Sequence, residues 1–277
     1  MAESRSIRHE FLLSTEPMTL FDAPVTISPI HAFEDNLIWC LQRPGVTDVA
    51  VVDPGDAVPV IDWLNTHQKA LTSILITHHH GDHTGGIKEL IRYCLANHHK
   101  APIVYGPTSC VSKGVTHVVG EADTIRLKSL GLSFKVLFVP GHTDDHLAYF
   151  TDPITRESKA VFCGDTLFAA GCGRLLGGTA EQMFDSLNRL SSLPPQTEIY
   201  CAHEYTLSNL KFARSVCPGS LAIQERLLEV EKLRSENQLT LPSTMAEELL
   251  TNPFLGCASV ADFRQLRQAK DQFRLTL

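Results

Sequence analysis

The sequence lacks the features expected of a membrane-spanning or nucleic-acid-binding protein. Among its 277 residues there is no run of about 18 apolar residues, so we expect no membrane span. We also expect no signal peptide, because the apolar segment at residues 11–13 is too short and is followed by acidic and polar residues. The formal net charge is −7 and no basic stretch stands out, which argues against a nucleic-acid partner.

Paired cysteines are missing as well. The eight cysteines are scattered along the chain, and none forms a C-x-x-C pair. Most of them lie in apolar segments, where cysteine packs as a small hydrophobic residue. We therefore expect reduced core thiols in a cytoplasmic protein, in preference to disulfides or a thiolate metal site.

The composition that remains is that of a globular protein, with 43% hydrophobic and 20% charged residues. The length suits one large domain, alone or with a small second one. Predicted strands and helices are mixed up to about residue 203, and only helices are predicted after it. We therefore predict an N-terminal extension over residues 1–18, an α/β (α+β) domain over residues 19–203 and a helical domain over residues 204–277.

Short β-branched apolar runs predict the strands, and apolar residues at helical spacing predict the helices. The predicted strands cover residues 25–30, 37–41, 49–52, 71–76, 103–105, 125–127, 134–139, 147–151, 160–163 and 198–202. The predicted helices cover residues 60–64, 87–95, 180–190, 207–216, 221–233, 245–250 and 260–273. Thr179 and Thr244 each precede a glutamine or glutamate by three residues, the pattern of a capping box at a helix start.

The segment T-H-H-H-G-D-H at residues 77–83 places four potential metal ligands within six residues, at the end of a predicted strand. Strand ends of this kind are where α/β folds usually build their sites. His78 and His80 are two residues apart, so in an extended chain they point the same way and His79 points away. The alternative is a solvated loop that happens to be rich in histidine.

Two ligands beyond Gly81 favour a second metal. We expect Gly81 to let the chain turn sharply, so that Asp82 and His83 face a second centre close to the first. One metal rarely takes four ligands from so short a loop, which also favours two metals.

Three further predicted strands end on a potential ligand, namely His142, Asp165 and His203. A lone histidine after a strand is more often structural, but four such ends together indicate a metal centre. Asp165 has two carboxylate oxygens and is expected to bridge two cations. The remaining ligands sort into His78, His80 and His142 for one metal and Asp82, His83 and His203 for the other.

These motifs resemble the metallo-β-lactamase superfamily and, within it, the glyoxalase II family of hydroxyacylglutathione hydrolases. The resemblance runs from about residue 20 to the C-terminus. It implies that residues 19–203 form a catalytic αββα sandwich and that residues 204–277 form a helical substrate-binding domain. It also implies hydrolysis of S-(2-hydroxyacyl)glutathione thioesters such as S-D-lactoylglutathione in methylglyoxal detoxification. Besides the 77–83 loop, it is carried by G-H-T at 141–143, G-D-T at 164–166, A-G-C-G-R at 170–174, G-T-A-E-Q-M at 178–183, C-A-H-E-Y-T at 201–206, N-L-K-F-A at 209–213 and N-P-F at 252–254.

The same resemblance implies that Arg174, Tyr205, Arg267 and Lys270 hold the glutathione moiety. Cationic side chains suit its two carboxylates. Arg174 stands where the family commonly has lysine, which keeps the charge but changes the donor geometry. Leu176 stands where a second tyrosine often contacts the ligand, so we expect one hydrogen bond to be missing. From the residues alone, Arg267 and Lys270 are equally compatible with solvated charges on a helix.

Four further residues near these motifs have a predicted role. Asp53 is interpreted as a carboxylate that orients a ligand histidine from behind, with a plain turn aspartate as the alternative. His79 and His146 are expected to be structural. Cys172 lies beside a pocket motif, but a thiol nucleophile has no role beside a metal-bound hydroxide.

The predicted reaction is thioester hydrolysis by two divalent metal ions. Imidazole and carboxylate ligands suit zinc, with iron or manganese as alternatives. The predicted catalytic group consists of Asp165, His78, His80, Asp82 and His83. We expect a monomer whose partner is a small glutathione thioester. The alternatives are a mononuclear iron persulfide dioxygenase, a β-lactamase or other lactonase, and a non-catalytic metal- or glutathione-binding protein.

Overall fold

The computed structural model describes residues 23–151 and 159–274, and the predicted extension over residues 1–18 lies outside them. Across the described part of the chain, no helix has the length and apolarity needed to cross a membrane.

The first sheet is built from the N-terminal half of the chain. Its strands are β1 (Thr26–Ala32), β2 (Asn36–Gln42), β3 (Asp48–Val52), β4 (Ala70–Leu75), β5 (Ile103–Gly106) and β6 (His117–Val118), in that order across the sheet. Strands β1 to β3 pair antiparallel, and β3 to β6 pair parallel. The parallel part has its strand ends on one edge, which brings the segments that follow β3 and β4 together.

The second sheet is mostly antiparallel and is built from later strands. Its strands are β7 (Thr124–Leu127), β8 (Leu132–Phe138), β9 (Leu147–Thr151), β10 (Lys159–Gly164), β13 (Thr197–Cys201) and β14 (Ser243–Thr244), and between β10 and β13 the chain also forms β11 (Leu167–Phe168) and β12 (Gly171–Cys172). The sheet order is β14-β13-β10-β9-β8-β7, while β11 and β12 pair as a separate hairpin. Strands β10 and β13 are parallel, so the residues that follow them lie at the same edge.

The helices are α1 (Val58–His67), α2 (Gly81–Thr84), α3 (Ile87–His98), α4 (Ala180–Ser191), α5 (Thr206–Val216), α6 (Leu221–Ser235), α7 (Met245–Thr251) and α8 (Val260–Gln272). Helix α4 begins with the complete capping box predicted at Thr179. At the start of α7 the Thr244 hydroxyl accepts a hydrogen bond from the Glu247 backbone N–H, as predicted for the threonine half of the box.

The two sheets face each other across the main apolar core. Trp39 of β2 belongs to the same buried cluster as Phe134 of β8 and Val161 of β10. A second cluster covers the outer face of the first sheet and includes Val60 of α1 and Leu90 of α3. This arrangement confirms the predicted αββα sandwich. A third cluster joins helices α5 and α6.

Every predicted strand and helix is present, with ends shifted by a few residues. The predictions omitted the short elements β6, β11, β12, β14 and α2, because elements of two to four residues leave no periodic pattern. Strand β14 lies in the part predicted as helical and pairs with β13 of the second sheet. The division of the chain at residue 203 stays a prediction.

Candidate metal centre and binding cleft

The predicted ligands lie together at one edge of the sandwich. The 77–83 segment follows β4, His142 follows β8, Asp165 follows β10 and His203 follows β13. The structure thus brings four strand ends to one place, and most of the ligand side chains are buried there.

The first ligand set consists of His78, His80 and His142. Nε2 of His78 lies 2.9 Å from Nδ1 of His80, and Nε2 of His142 lies 3.0 Å from the same atom. The three nitrogens fall within 4.8 Å of one another. Three imidazole nitrogens facing a common point suit a transition-metal cation.

The second ligand set consists of Asp82, His83 and His203. Oδ2 of Asp82 lies 3.3 Å from Nε2 of His83 and 3.5 Å from Nε2 of His203. These three atoms also fall within 4.8 Å of one another. This set therefore differs from the first in carrying a carboxylate of its own.

Asp165 lies between the two sets and presents one oxygen to each. Its Oδ2 is 3.4 Å from Nε2 of His142, whereas its Oδ1 is 3.3 Å from Nε2 of His203 and 3.5 Å from Nε2 of His83. Oδ1 of Asp165 and Nε2 of His83 are buried without a hydrogen-bond partner. Buried polar atoms are normally paired, so these two orphaned atoms fit a site for metal ions.

The route by which the chain reaches the second set differs from the prediction. Gly81 does not adopt a positive φ, and a Cβ added there would meet nothing within 4 Å. The extended residue His80 is followed directly by the short helix α2, which carries Asp82 and His83. The prediction that Gly81 permits a sharp turn is therefore wrong, because the change from extended chain to helix supplies the turn.

A glycine is required instead at Gly164, immediately before Asp165. Its φ is +49°, and an added Cβ would lie 2.4 Å from Oγ1 of Thr77 and 2.8 Å from Cε1 of His146. A side chain at this position would collide with the residues packed beneath the two ligand sets.

Asp53, which is predicted to orient a ligand histidine, contacts Thr77 and His83 in the structure. Its Oδ1 accepts a hydrogen bond from the Thr77 backbone N–H at 2.8 Å, and its Oδ2 accepts one from the Thr77 hydroxyl at 2.6 Å. Oδ2 also lies 3.1 Å from Nδ1 of His83. A carboxylate in this position fixes the ring orientation of a ligand histidine and leaves Nε2 free to bind a metal.

Three neighbours of the ligands were not predicted as site residues. Oδ1 of Asp35 lies 2.8 Å from Nδ1 of His203, and the Asn36 side-chain amide donates to Oδ2 of Asp82 at 3.1 Å. His146, predicted as structural, accepts a hydrogen bond on Nε2 from the backbone N–H of Asp165 at 3.1 Å. Asp35 and Asn36 follow β1 in the chain, and nothing local in the sequence reveals their partners, which are more than 40 residues away.

Burial sets the charge of the first ligand set in the metal-free protein. It lowers the pKa of His78 well below the usual histidine value, and it also lowers the pKa of His80 and of His142. These three rings are therefore neutral at physiological pH and ready to bind a cation.

In the second ligand set, neighbouring carboxylates outweigh burial, so the histidine pKa values are raised. Burial alone would lower the pKa of His83 and His203, but the carboxylate of Asp165, joined at His83 by those of Asp53 and Asp82, outweighs it and raises both. The pKa of Asp165 is held well below its usual value, because the charges of His83 and His203 outweigh the effect of burial. A cation bound here displaces protons from the histidines.

The ligand sets open into a cleft of about 630 Å³. The predicted glutathione contacts Arg174, Tyr205, Arg267 and Lys270 all line this cleft, as does Leu176. The Tyr205 ring stacks on His203, with 4.8 Å between ring centroids and 5° between planes. His79 points elsewhere and lies 3.7 Å from Asp145.

Two of the cleft cations donate hydrogen bonds to backbone carbonyls, which favours a role in the cleft over that of solvated charges on a helix. Arg267 is buried and donates a hydrogen bond to the backbone carbonyl of Cys172 at 2.8 Å. The Lys270 ammonium donates to the carbonyl of Ser208 at 3.2 Å, and burial lowers its pKa to about 8. Arg174 is exposed and lies 3.8 Å from Asp271.

The thiol beside the cleft, that of Cys172, is buried. Burial raises the pKa of Cys172 to about 11, so the side chain is protonated at neutral pH. A protonated thiol is a poor nucleophile, which argues against catalysis by Cys172.

The sandwich and its clustered ligands define a member of the metallo-β-lactamase superfamily. The model of that superfamily matches residues 37–203. The crystal structure of ETHE1 from Myxococcus xanthus is similar, with a TM-score of 0.62 at 23% identity, over 90% of this chain and 92% of that one. The BLEG-1 B3 metallo-β-lactamase has a TM-score of 0.59 at 21% identity, over 84% of this chain and all of that one. At such identities these two likenesses concern the fold alone.

More specific matches come from the sequence. The family model "Hydroxyacylglutathione hydrolase C-terminus" matches residues 204–273. A hydroxyacylglutathione hydrolase of Pseudomonas entomophila is 45% identical, over 90% of this chain and 92% of its own length. Another, from Pseudomonas savastanoi pv. phaseolicola, is 51% identical, over 83% of this chain and 86% of its own. The chain therefore belongs to the hydroxyacylglutathione hydrolase family.

Proposed function

We propose that this protein hydrolyses S-(2-hydroxyacyl)glutathione thioesters, with S-D-lactoylglutathione giving D-lactate and glutathione. The observation that carries the proposal is the position of Asp165, which presents one carboxylate oxygen to each of two ligand sets at the base of a cleft lined with cations. The names of the relatives point to the same substrate class.

Two divalent metal ions would be held by the two ligand sets with Asp165 between them. Zinc is the first candidate and iron or manganese the alternatives, because imidazole and carboxylate ligands suit all three. When bound, such ions supply a hydroxide at neutral pH and polarise the carbonyl that it attacks. The orphaned buried atoms of Asp165 and His83 support this assignment.

The residues of the cleft would bind the tripeptide part of the substrate. Lys270, Arg174 and Arg267 supply positive charge for the two carboxylates of glutathione. Arg267 already donates a hydrogen bond to the backbone carbonyl of Cys172. We therefore assign it two roles, to hold the floor of the cleft in place and to bind the substrate. Tyr205 lies flat against His203 and lines the same cleft as the three cations, which supports its assignment to the substrate.

The leaving group of the reaction is a thiolate, which does not need a strong general acid from the protein. A glutathione thiol has a pKa of about 8.5, so the thiolate departs without a strong general acid. Cys172 is buried and protonated and takes no part in this step. The catalytic contribution of the chain is thus the placement of Asp165, His78, His80, Asp82 and His83.

The test combines metal analysis with a thioester assay. The protein loaded with zinc, manganese or iron is expected to hold two metal ions per chain and to hydrolyse S-D-lactoylglutathione. A chelator is expected to abolish the activity, and added metal to restore it. Oxygen uptake with one bound iron would indicate a persulfide dioxygenase instead. Full activity in the chelated, metal-free protein would refute the proposal.

We further propose a cytoplasmic location. Each of the eight cysteines is a free thiol, and six of them are buried, which suits a reducing compartment. The monomeric state expected from the sequence stays a prediction.

A further inference from the structure

The turn between β1 and β2 contacts only one of the two ligand sets. Asp35 reaches Nδ1 of His203 at 2.8 Å, and the adjacent Asn36 donates to Oδ2 of Asp82 at 3.1 Å. Both contacted residues belong to the second ligand set. Two consecutive side chains thus support two of its three ligands.

The backbone holds this turn in register with the ligands. The Glu204 N–H donates to the carbonyl of Asp35 at 3.0 Å, and Leu37 N–H donates to the carbonyl of Ala202 at 2.8 Å. Asn36 also forms an isolated β-bridge with His203. The turn of the first sheet is therefore tied to the end of β13 in the second sheet, directly beside a metal ligand.

The first ligand set has neutral partners in the corresponding positions. Nδ1 of His142 donates to the backbone carbonyl of Arg174 at 2.8 Å, and Nδ1 of His78 donates to the Thr77 hydroxyl at 3.1 Å. The Thr77 hydroxyl in turn donates a hydrogen bond to Oδ2 of Asp53, so the carboxylate acts on His78 only through this hydroxyl. By contrast, the second set has carboxylates directly behind both of its histidines.

We infer that Asp35 is a positioning residue for one cation only, the one bound by Asp82, His83 and His203, and that Asn36 assists it. The inference rests on the proposed binuclear centre. A carboxylate behind a ligand histidine raises the basicity of the ring and fixes its orientation. Loss of the Asp35 charge therefore weakens one cation position and leaves the other intact.

The test measures metal binding without substrate. Metal-free protein is titrated with cobalt(II), which reports each site by its visible absorption, and the bound metal is counted after dialysis. We expect two equivalents for the parent protein. For Asp35→Asn we expect one unchanged equivalent and one weakened about 10- to 100-fold, the usual effect of losing an outer-shell partner.

Three more variants separate this effect from a general disturbance. Glu34→Gln removes the same charge from the neighbouring exposed residue of the turn and is expected to leave both equivalents unchanged. Asp35→Glu is expected to restore part of the lost affinity. Asn36→Ala is expected to weaken binding of the same metal equivalent as Asp35→Asn does. This variant keeps the Asp35 carboxylate, which also faces the Tyr205 phenol.

The outcomes distinguish this inference from the proposed function. If Asp35→Asn binds both equivalents as the parent does, or loses both, the inference is wrong while the binuclear centre stands. If the parent protein itself binds a single equivalent, the binuclear centre fails first.

Discussion

Glu248 of α7 offers a test of how the C-terminal helices support the cleft. Its side chain is fully buried, with Oε1 accepting from Arg226 at 2.8 Å and Oε2 accepting from the Ala170 backbone N–H at 2.7 Å. Oε2 also accepts from the Asn252 amide at 3.1 Å. Every partner is a donor, so the position needs an acceptor on both sides.

Glu248→Gln preserves the shape but cannot satisfy both sides. Whichever way the amide is turned, its NH₂ group meets a donor, and Arg226 loses a buried counter-charge. Breaking a buried ion pair by changing one partner costs about 3–5 kcal/mol. Because Glu247 stays 3.1 Å from the same guanidinium, we expect the lower end, about 3 kcal/mol.

The assay is urea unfolding of metal-loaded protein, with Glu247→Gln as the matched control. The Glu247 side chain is 40% exposed, so its loss is expected to cost less than about 1 kcal/mol. The thioester KM is also expected to rise in Glu248→Gln, because Ala170 lies in the hairpin that leads to Arg174. An equal loss of stability in the two variants would refute the reasoning.

Three other perturbations follow from the centre and the cleft. Asp165→Ala removes both carboxylate oxygens, one of which faces each ligand set. We therefore expect metal analysis to find fewer than two metal ions per chain and the activity to fall near background. Two bound ions with near-normal activity would contradict the bridging role. Leu176→Tyr is expected to lower the KM for the thioester about fivefold, because a new hydrogen bond contributes about 1 kcal/mol. An unchanged KM would show that no group of the substrate lies within hydrogen-bonding distance of the new hydroxyl. In the metal-free protein the raised pKa values of His83 and His203 stabilise the fold below pH about 6.5, and this contribution is lost as pH rises through the raised values. Thermal melting should therefore show the metal-free protein weakening towards alkaline pH more than the loaded protein, and parallel profiles would contradict the assignment.

The clustering of the candidate ligands could be predicted from the sequence because each one is a local signal at a strand end. His142, Asp165 and His203 each follow a short apolar run, and the fold brings these runs to one edge. The contacts of Asp35 and Asn36 were not predictable in this way. They depend on which strand ends meet across two sheets, which a single sequence with local patterns does not encode.

The error at Gly81 has a related cause. Glycine was taken as a sign of unusual backbone geometry, but here it begins a helix with ordinary dihedral angles. The glycine that is sterically required, Gly164, is required by Thr77 and His146, which are distant in sequence. A glycine in the sequence shows where the backbone is free to adopt unusual dihedral angles. Whether a glycine is required at that position depends on the residues that pack against it in the fold.

The residues proposed for metal binding and those proposed for substrate binding have separate supports in this chain. Asp53 and the turn at Asp35 hold ligand histidines from behind, on the side of the sheets. Arg267 and Lys270 lie on α8, and the buried pair of Arg226 and Glu248 fixes the hairpin beside them. A change in the helical part is therefore expected to act mainly on KM, while a change behind the ligands is expected to act on metal occupancy and hence on kcat. If a variant such as Glu248→Gln lost bound metal in proportion to its loss of substrate affinity, the metal site and the substrate cleft would not be supported independently.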